Sequence, residues 1–410
     1  MDGNTGGRTG EEPEVRAGGP STGGPLRSYD VRERNEKLIL RLIQDRQEIS
    51  QSEVVNETGL RAPTVFRIFS NLAERGFITE STTPREDSDR RGRRPSYYRI
   101  NATAGYAIGV DLWAGSVAAT VVDFARHTVI RVVEEIEPER AADAVIERLV
   151  ELIRGMLREA NIDGQHLLGI GVGAPGIVDV ARGEIVSYSR IPGMERVPLA
   201  ERLSDAFSLP VVVHNNTSVI AASEYRYGRA QYAHSVMAIL IRSGVGGAFL
   251  QHGQPFTNNG HSAMEVGHTI VDPSARLHGR PGTLESMVSE GELFSRLEAE
   301  CGTSDRSALL ERLESGDRAA VDALREPVEA LGASIVTLAN LFNPEVFLII
   351  SRHAVLSAYL AAGASRYAEQ DLHGTRLKAG EVIPCEYDPL LACRGASDLV
   401  FDRYFSAGND

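Results

Sequence analysis

Apolar residues near the start of the chain recur with the period of an α-helix. Residues 31–47 repeat leucine and isoleucine at i and i+4, which predicts a helix. A capping box running from Ser50 to Glu53 then starts a second helix, which is expected to end near Gly59. A third apolar-periodic segment ends at Gly76. Helices joined by a glycine-containing turn predict a helix-turn-helix.

The third helix is predicted to bury one face and to expose another. Its apolar residues occupy positions i, i+3, i+4 and i+7, and they are Val65, Ile68, Phe69 and Leu72. The residues predicted to face outward and to contact DNA are Arg61, Thr64, Arg67 and Asn71. Thr64 and Arg67 are expected to read base edges in the major groove. A small helical bundle without a DNA role is the alternative interpretation.

A basic loop follows the third helix. Residues 77–79 and 97–100 read as two strands joined by a polar turn, which is the pattern of a wing. The tip of the turn carries four guanidinium groups around Gly92, on Arg90, Arg91, Arg93 and Arg94. A charge run is usually only a solvated loop, but guanidinium groups beside a helix-turn-helix can enter a narrow minor groove. Residues 28–100 therefore predict a winged helix-turn-helix that binds duplex DNA.

From residue 106 the pattern changes to buried strands and amphipathic helices. Three candidate strands, YAIGVDLW, VAATVVD and TVIRVVEE, precede a long helix, and LLGIGVGAPGIVD then runs from a strand into a Gly/Pro loop. A second unit opens with VMAILIRSGVGGAFL and has helices near 291–300 and 321–341. Two successive α/β units predict a bilobal fold with a cleft between lobes, roughly 101–225 and 226–410.

The distribution of charge separates these two parts of the chain. The net charge of −13 argues against a protein that coats nucleic acid with its whole surface. Residues 28–100, however, carry 14 Lys and Arg against 12 Asp and Glu, whereas the remainder carries 29 against 44. This asymmetry favours one module that faces phosphate and another with a different role. Residues 1–27 are rich in Gly and Pro, have almost no large apolar side chains, and predict a disordered tail.

The sequence gives no sign of a membrane or secretory protein. No apolar run is long enough to span a bilayer, and the N-terminus lacks the apolar core of a secretory signal, so we expect a cytoplasmic protein. The three cysteines, Cys301, Cys385 and Cys393, form no C-x-x-C pair and are expected to be packed thiols.

Residues 264–286 contain four side chains that could take part in metal binding or acid/base chemistry. Glu265, His268, His278 and Glu285 fall within this stretch and are separated by turn-forming Gly and Pro residues. Two carboxylates and two imidazoles could form a metal site, an acid/base pair or a polar pocket, and a solvated loop is the simplest alternative. The spacing alone does not separate these possibilities.

Five motifs in this order, behind a winged helix, resemble the ROK family (repressor, open reading frame, kinase). They are GVGAPGIVD (171–179), SGVGGA (243–248), EVGH (265–268), TLES (283–286) and NPE (343–345). The resemblance covers roughly residues 31–405. It implies an α/β chain in which the winged helix-turn-helix precedes a bilobal actin-like sugar-kinase fold. Some members of the family are glucokinases, and others are sugar-responsive repressors.

The resemblance also implies a sugar pocket. Carried over position by position, its residues are Asn215, Asn216, Glu265, His268 and Glu285. Amide, carboxylate and imidazole groups suit the hydroxyls of a pyranose. In this comparison His278 has no part in the pocket.

Departures from the family pattern bear on catalysis. The kinase base of the family is Asp, and Asn216 stands at that position; an amide cannot accept the proton of a sugar hydroxyl. Trp113 replaces a glycine of the first nucleotide loop, and Ser351-Arg352 replaces a Gly-Gly pair of another. The loop at 243–248 is retained, either for phosphate or for packing as a strand turn.

The zinc site of the family is also incomplete. It uses a histidine and three cysteines, and this chain keeps His268, with His278 near a lost ligand, but has no cysteine there. Since a structural zinc site needs four ligands, we expect neither zinc nor another cofactor.

Together these features predict a sugar-responsive DNA-binding regulator, most simply a repressor of carbohydrate genes, and not an enzyme. The expected partners are duplex DNA with a palindromic operator, a sugar or sugar derivative as effector, and a second copy of the chain as homodimer or dimer of dimers. Two alternatives stay open: an ATP-dependent sugar kinase with a DNA-binding arm, and a dimeric regulator that needs no ligand.

Overall fold

The computed structural model describes residues 28–81, 96–137, 140–257, 260, 264–277, 280–371 and 380–406. The predicted tail at 1–27 and the predicted wing tip lie outside these ranges. No helix in the described ranges is long and apolar enough to cross a membrane.

Residues 28–81 and 96–100 form a winged helix-turn-helix with one more strand than the sequence pattern indicated. Its elements are α1 (Ser28–Arg46), β1 (Ile49–Ser50), α2 (Gln51–Thr58), α3 (Ala62–Glu74), β2 (Ile78–Glu80) and β3 (Tyr97–Ile100). The capping box is confirmed, since the Ser50 hydroxyl accepts from the Glu53 N–H and the Glu53 carboxylate accepts from the Ser50 N–H at 2.7 Å. The added strand, β1, pairs antiparallel with β3 on the side opposite β2. Two residues are too few to show an alternating pattern, which explains why the sequence did not reveal it.

The first lobe is a five-stranded sheet with helices on its faces. Its elements are β4 (Tyr106–Trp113), β5 (Ser116–Asp123), β6 (Thr128–Glu135), α4 (Ala142–Glu159), β7 (Leu167–Ala174), β8 (Ile177–Asp179), β9 (Glu184–Ser187), β10 (Glu195–Val197), α5 (Leu199–Phe207), β11 (Val211–Asn215) and α6 (Asn216–Tyr227). The strand order is β11-β7-β4-β5-β6, in which β4, β5 and β6 form an antiparallel meander while β7 and β11 run parallel to β4. The central strands are buried on both faces and read as continuous apolar runs.

The second lobe repeats this topology. Its elements are β12 (Ser235–Ile241), β13 (Val245–Gln251), β14 (Gln254–Pro255), β15 (Ile270–Leu277), β16 (Arg280–Thr283), α7 (Leu284–Val288), α8 (Glu290–Cys301), α9 (Arg306–Glu314), α10 (Arg318–Ala323), α11 (Arg325–Phe342), β17 (Val346–Ser351), α12 (Ala354–Asp371), β18 (Glu381–Glu386) and α13 (Pro389–Ser406). The order β14-β13-β12-β17-β18 again places two parallel strands beside an antiparallel hairpin. The two lobes are therefore built on sheets of the same strand order.

The last helix, α13, returns to the first lobe, whereas the linear division of the sequence had placed it in the second. It packs on β4 and β7, where two glycines allow its backbone to approach the strands closely. A Cβ at Gly109 would lie 1.9 Å from the carbonyl oxygen of Cys393, and one at Gly171 would lie 1.8 Å from that of Ala396. Glycine allows this approach because it has no side chain.

The winged helix shares an apolar core with the first lobe. One buried cluster joins Ile39 and Phe69 of the winged helix to Phe124 of the first lobe and Phe401 of α13. Phe77 stacks on Phe124 with ring centroids 5.3 Å apart, and Phe124 meets Phe401 edge-on at 6.0 Å. The winged helix, the first lobe and α13 are therefore packed in one continuous core.

Candidate ligand cleft and nucleic-acid interface

A cleft of about 200 Å³ opens between the two lobes. The five residues predicted for a sugar pocket all line it, namely Asn215, Asn216, Glu265, His268 and Glu285. Tyr188, Arg190 and Arg242 also line it, and none of these three was predicted from the sequence. The topology thus brings together residues that lie far apart in the chain, from Trp113 to Glu285.

The first lobe contributes the N-terminus of α6. The Asn215 side chain caps this helix, because its Oδ1 accepts from the backbone N–H groups of Thr217 at 2.9 Å and Ser218 at 3.3 Å. Its Nδ2 donates to the Gly176 carbonyl at 2.8 Å, so much of this amide serves the backbone. Asn216 follows, is buried, and donates to the Leu112 carbonyl at 3.3 Å. Asn216 thus ties α6 to β4.

The second lobe contributes two carboxylates and one imidazole, which differ in their partners and in their exposure. One oxygen of Glu285 accepts from the Arg190 guanidinium at 2.7 Å, and the other accepts from the Val245 N–H at 2.9 Å. Because Arg190 belongs to the first lobe, this ion pair bridges the cleft. Glu265 and His268 face each other at 3.5 Å, and both side chains are largely exposed at the rim.

The retained Gly-rich loop packs tightly against the walls of the cleft. A Cβ at Gly246 would lie 2.3 Å from the Thr217 hydroxyl, and one at Gly247 would lie 2.3 Å from the Val266 side chain. These glycines are therefore required for close packing of the loop against α6 and the EVGH segment. A phosphate-binding role is not needed to account for them.

A buried arginine stands at the base of the cleft. Arg242 is 4% exposed, and one Nη lies 3.2 Å from the carboxylate of Asp111, which is fully buried. The guanidinium also stacks on the Tyr387 ring at 3.8 Å and lies 5.0 Å from the Trp113 ring. Tyr387 donates a hydrogen bond to the same carboxylate, and burial together with the Asp111 charge raises the pKa of this phenol. These groups link β4 to the segments that directly follow β12 and β18.

Trp113 and Arg352, two residues that depart from the family pattern, both lie beside this cluster. Arg352 lies 5.2 Å from the Trp113 ring and donates from its Nε to Glu290 at 2.9 Å. Trp113 in turn donates its indole N–H to the Ser116 hydroxyl at 2.7 Å. Arg242 itself was missed, although a charged residue at the end of the apolar run VMAILI was a usable signal.

His214, which directly precedes the two asparagines, is held neutral. Burial lowers its pKa to about 4, and its Nδ1 has no hydrogen-bond partner among the described residues. A neutral imidazole is the expected form of a histidine whose ring is largely withdrawn from water.

Within the described ranges, no group of three or more His, Cys, Asp and Glu side chains is placed to hold a metal ion. His278 lies outside those ranges, so the structure does not test the prediction that the chain lacks zinc.

The helix α3 carries the predicted DNA-contacting residues. Its apolar stripe is buried as predicted, at Val65, Ile68, Phe69 and Leu72. Arg61 at the N-cap and Arg67 are exposed, whereas Thr64 is half-buried. Asn71 is also half-buried, and its Oδ1 accepts from Arg75 at 3.4 Å, so this amide is partly engaged within the protein. The predicted wing arginines, Arg90, Arg91, Arg93 and Arg94, lie outside the described residues.

Comparisons with known proteins agree with this division of the chain. A sequence profile described as ROK family matches residues 107–402, and one described as winged helix-turn-helix DNA-binding matches residues 32–79.

The chain is similar both to a repressor and to a kinase. The chain is 25% identical over 331 residues to the xylose repressor of Caldicellulosiruptor bescii, covering 77% of this chain and 82% of that protein. It is also 25% identical over 259 residues to the glucokinase of Thermotoga maritima, covering 59% of this chain and 80% of the enzyme.

Among solved structures, the fold is similar to that of a ROK family transcriptional regulator described as a homolog of the E. coli MLC protein. The TM-score is 0.74 at 20% identity, over 92% of this chain and 98% of the other. At this identity the likeness establishes the fold alone.

Proposed function

The chain belongs to the ROK family, and we propose that it is a sugar-responsive transcriptional repressor that binds duplex DNA. One observation carries the proposal most directly. A winged helix-turn-helix shares a continuous apolar core with a bilobal domain whose cleft is lined by amide, carboxylate and imidazole groups. The relation to a xylose repressor supports the same assignment.

The helix α6 supplies a physical route from the cleft to the winged helix. It begins at Asn216, in the cleft, and ends at Tyr227. There the Tyr227 hydroxyl donates to Asp398 of α13 at 2.7 Å, and Arg226 pairs with Asp398 at 2.8 Å and with Asp402 at 2.6 Å.

The same acidic residues reach the winged helix and the first lobe. Asp402 lies 3.8 Å from Arg41 of α1, and Asp398 also pairs with Arg126. We propose that a sugar bound at the start of α6 shifts this helix against α13, and that α13 then reorients the winged helix. A ligand can do so only if it binds one arrangement more tightly, and about 1–3 kcal/mol is typical of such coupling.

We also infer that the protein does not phosphorylate sugars. Asn216 offers no carboxylate to accept a hydroxyl proton. The resemblance assigns Asp111 and Trp113 to the nucleotide loop, and in this chain Asp111 is neutralised by Arg242, whose guanidinium lies against Trp113. The kinship with a glucokinase keeps phosphorylation as the alternative function.

The experiment that tests this function starts from DNA selected by the protein itself. Enrichment of random duplexes should yield a preferred sequence, and we propose that it is an imperfect palindrome because two copies of the chain bind it. Adding one member of a panel of pentoses, hexoses and their derivatives should weaken that binding. ADP release with ATP and the same sugars should stay at the level of a Glu285→Gln variant.

Each outcome bears on a different part of the proposal. DNA selection with no response to any sugar would favour a ligand-independent regulator. Sugar-dependent ADP release well above the Glu285→Gln control would establish the kinase alternative. We further propose that the protein acts in the cytoplasm and that it needs no zinc. Because no zinc is needed, a chelator should leave the sugar response unchanged.

A further inference from the structure

We infer that the exposed ring of Phe66 reads the methyl group of a thymine in the major groove of the operator. The inference rests on the proposed DNA-binding function and adds a base-specific contact to it. Phe66 was not among the residues predicted to contact DNA.

The ring of Phe66 is exposed although its helix is otherwise well packed. Phe66 is 61% exposed, while its neighbours Val65 and Phe69 are at most 1% exposed. Among the described residues of the winged helix, the other exposed large apolar side chain is Leu38, which lies on α1. An isolated exposed apolar residue is common on protein surfaces, so the position of Phe66 has to carry the inference.

That position is the outward face of the N-terminal half of α3. Residues three and four apart are neighbours on a helix, so Phe66 lies beside Pro63 and Ser70, and Arg67 lies beside the same two residues. Phe66 and Arg67 thus belong to one continuous surface. The N-terminal half of a recognition helix is the part that enters the major groove.

The charge around Phe66 favours DNA over an apolar protein partner. Arg61 and Arg67 are both exposed on this half of the helix, and the first turn of α3 carries no acidic residue. Exposed guanidinium groups favour a polyanionic partner such as duplex DNA. The exposed ring of Phe66 lies on the same half of the helix, where it can enter the groove with them.

The chemistry of the groove then selects the base. The C5-methyl of thymine is the apolar group that base pairs present in the major groove, and phenylalanine is a known partner for it. Cytosine and deoxyuridine lack this methyl group. Contact with Phe66 therefore distinguishes thymine from both.

The test replaces single thymines of the selected operator with deoxyuridine, which removes only the methyl group. Wild-type protein should lose about fourfold in affinity at one thymine of each half-site, as expected for one buried methyl. A Phe66→Ser protein should bind the thymine operator more weakly and should no longer distinguish thymine from deoxyuridine at that position. Leu38→Ser, which removes the other exposed apolar side chain, should retain the wild-type sensitivity.

Other outcomes would overturn the inference. If wild-type protein tolerates deoxyuridine at every thymine while still selecting its operator, Phe66 reads no methyl group, although the proposed function stands. If Phe66→Ser keeps the wild-type methyl sensitivity, another residue makes the contact. If Phe66→Ser binds DNA like wild type but changes self-association, the ring belongs to a protein interface. Failure of wild-type protein to select any sequence would remove the proposed function itself.

Discussion

At the scale of single residues, the most informative side chain is Arg242, because it pairs with Asp111, which the resemblance assigns to the first nucleotide loop. Its partner Asp111 is fully buried and accepts from both Arg242 and Tyr387. A buried carboxylate that loses its cationic partner is strongly unfavourable. The cluster therefore forms a buried ion pair between the two lobes.

Removing one partner of the Arg242–Asp111 pair should lower the stability of the protein. Arg242→Ala should lower the free energy of unfolding by about 3–5 kcal/mol, because Asp111 is left buried without compensation. Urea denaturation measures the effect. A double variant, Arg242→Met with Asp111→Leu, should recover much of the loss, and Arg182→Ala, which breaks an exposed pair with Asp179, should be nearly neutral. Equal stability of Arg242→Ala and wild type would mean that the pair is not formed.

His214 should make stability depend on pH. Its pKa is about 4 in the folded chain because of burial, against 6.5 for a free imidazole. The unfolded chain thus binds a proton between these values that the folded chain does not, so stability is full above pH 6.5 and is lost as the pH falls toward 4. Between pH 7.5 and 5 the loss from this group should be about 2 kcal/mol. His214→Gln should reduce the pH dependence by that amount, whereas the exposed His166→Gln should not.

Much of the candidate cleft could be anticipated from the sequence, since motif resemblance placed Asn215, Asn216, Glu265, His268 and Glu285 along it. The sequence did not predict which partner each of these side chains contacts. Asn215 caps a helix, and Arg190 and Arg242 act through partners more than 90 residues away in the chain. Such contacts depend on how the two lobes are arranged, and the local pattern of residues in the sequence does not predict that arrangement.

At the scale of elements, α13 is the feature that a linear division of the sequence misplaced. Its own pattern shows a helix, but which sheet it covers is decided by two glycines, Gly109 and Gly171, on strands far from it in the chain. The helix and strand positions of the lobes were largely predictable because their apolar runs are long. The two-residue strand β1 was not, because its pairing is set by β3.

The packing of α13 should not tolerate a methyl group at the strand surface. Gly171→Ala should lower the free energy of unfolding by about 3 kcal/mol or more, because the new Cβ would meet the backbone of Ala396 at 1.8 Å. The matched control is Gly155→Ala in α4, where a Cβ meets nothing within 4 Å and should raise stability by up to about 1 kcal/mol. Unfolding midpoints in urea compare the two. Similar effects of both substitutions would contradict the close approach of α13.

At the scale of the whole molecule, the cleft, α6, α13 and the winged helix form one connected body. Asn216 lies at one end of α6, and Arg226 and Tyr227 lie at the other, against α13. The winged helix joins the same body through the stacking of Phe77 on Phe124. We therefore expect DNA affinity and sugar affinity to be coupled through this junction.

Loosening the junction should uncouple the two activities without abolishing either. Tyr227→Phe removes the hydroxyl that donates to Asp398 and keeps the ring. Sugar and operator affinities measured separately should stay near wild type, while the weakening of operator binding by sugar should shrink by at least about fivefold. Tyr232→Phe, at a tyrosine that is 92% exposed, is the control. An unchanged sugar response in Tyr227→Phe would exclude this route.

The central proposal is that ligand occupancy of the cleft, without phosphorylation, controls DNA binding. The most direct measurement is the affinity of the purified protein for its selected duplex, titrated with each sugar of the panel in the absence of ATP. We expect one sugar class to weaken operator binding by about fivefold or more, and Glu285→Gln to abolish that response while still binding the duplex. Operator binding that responds to sugar only when ATP is present, with ADP released, would contradict the proposal.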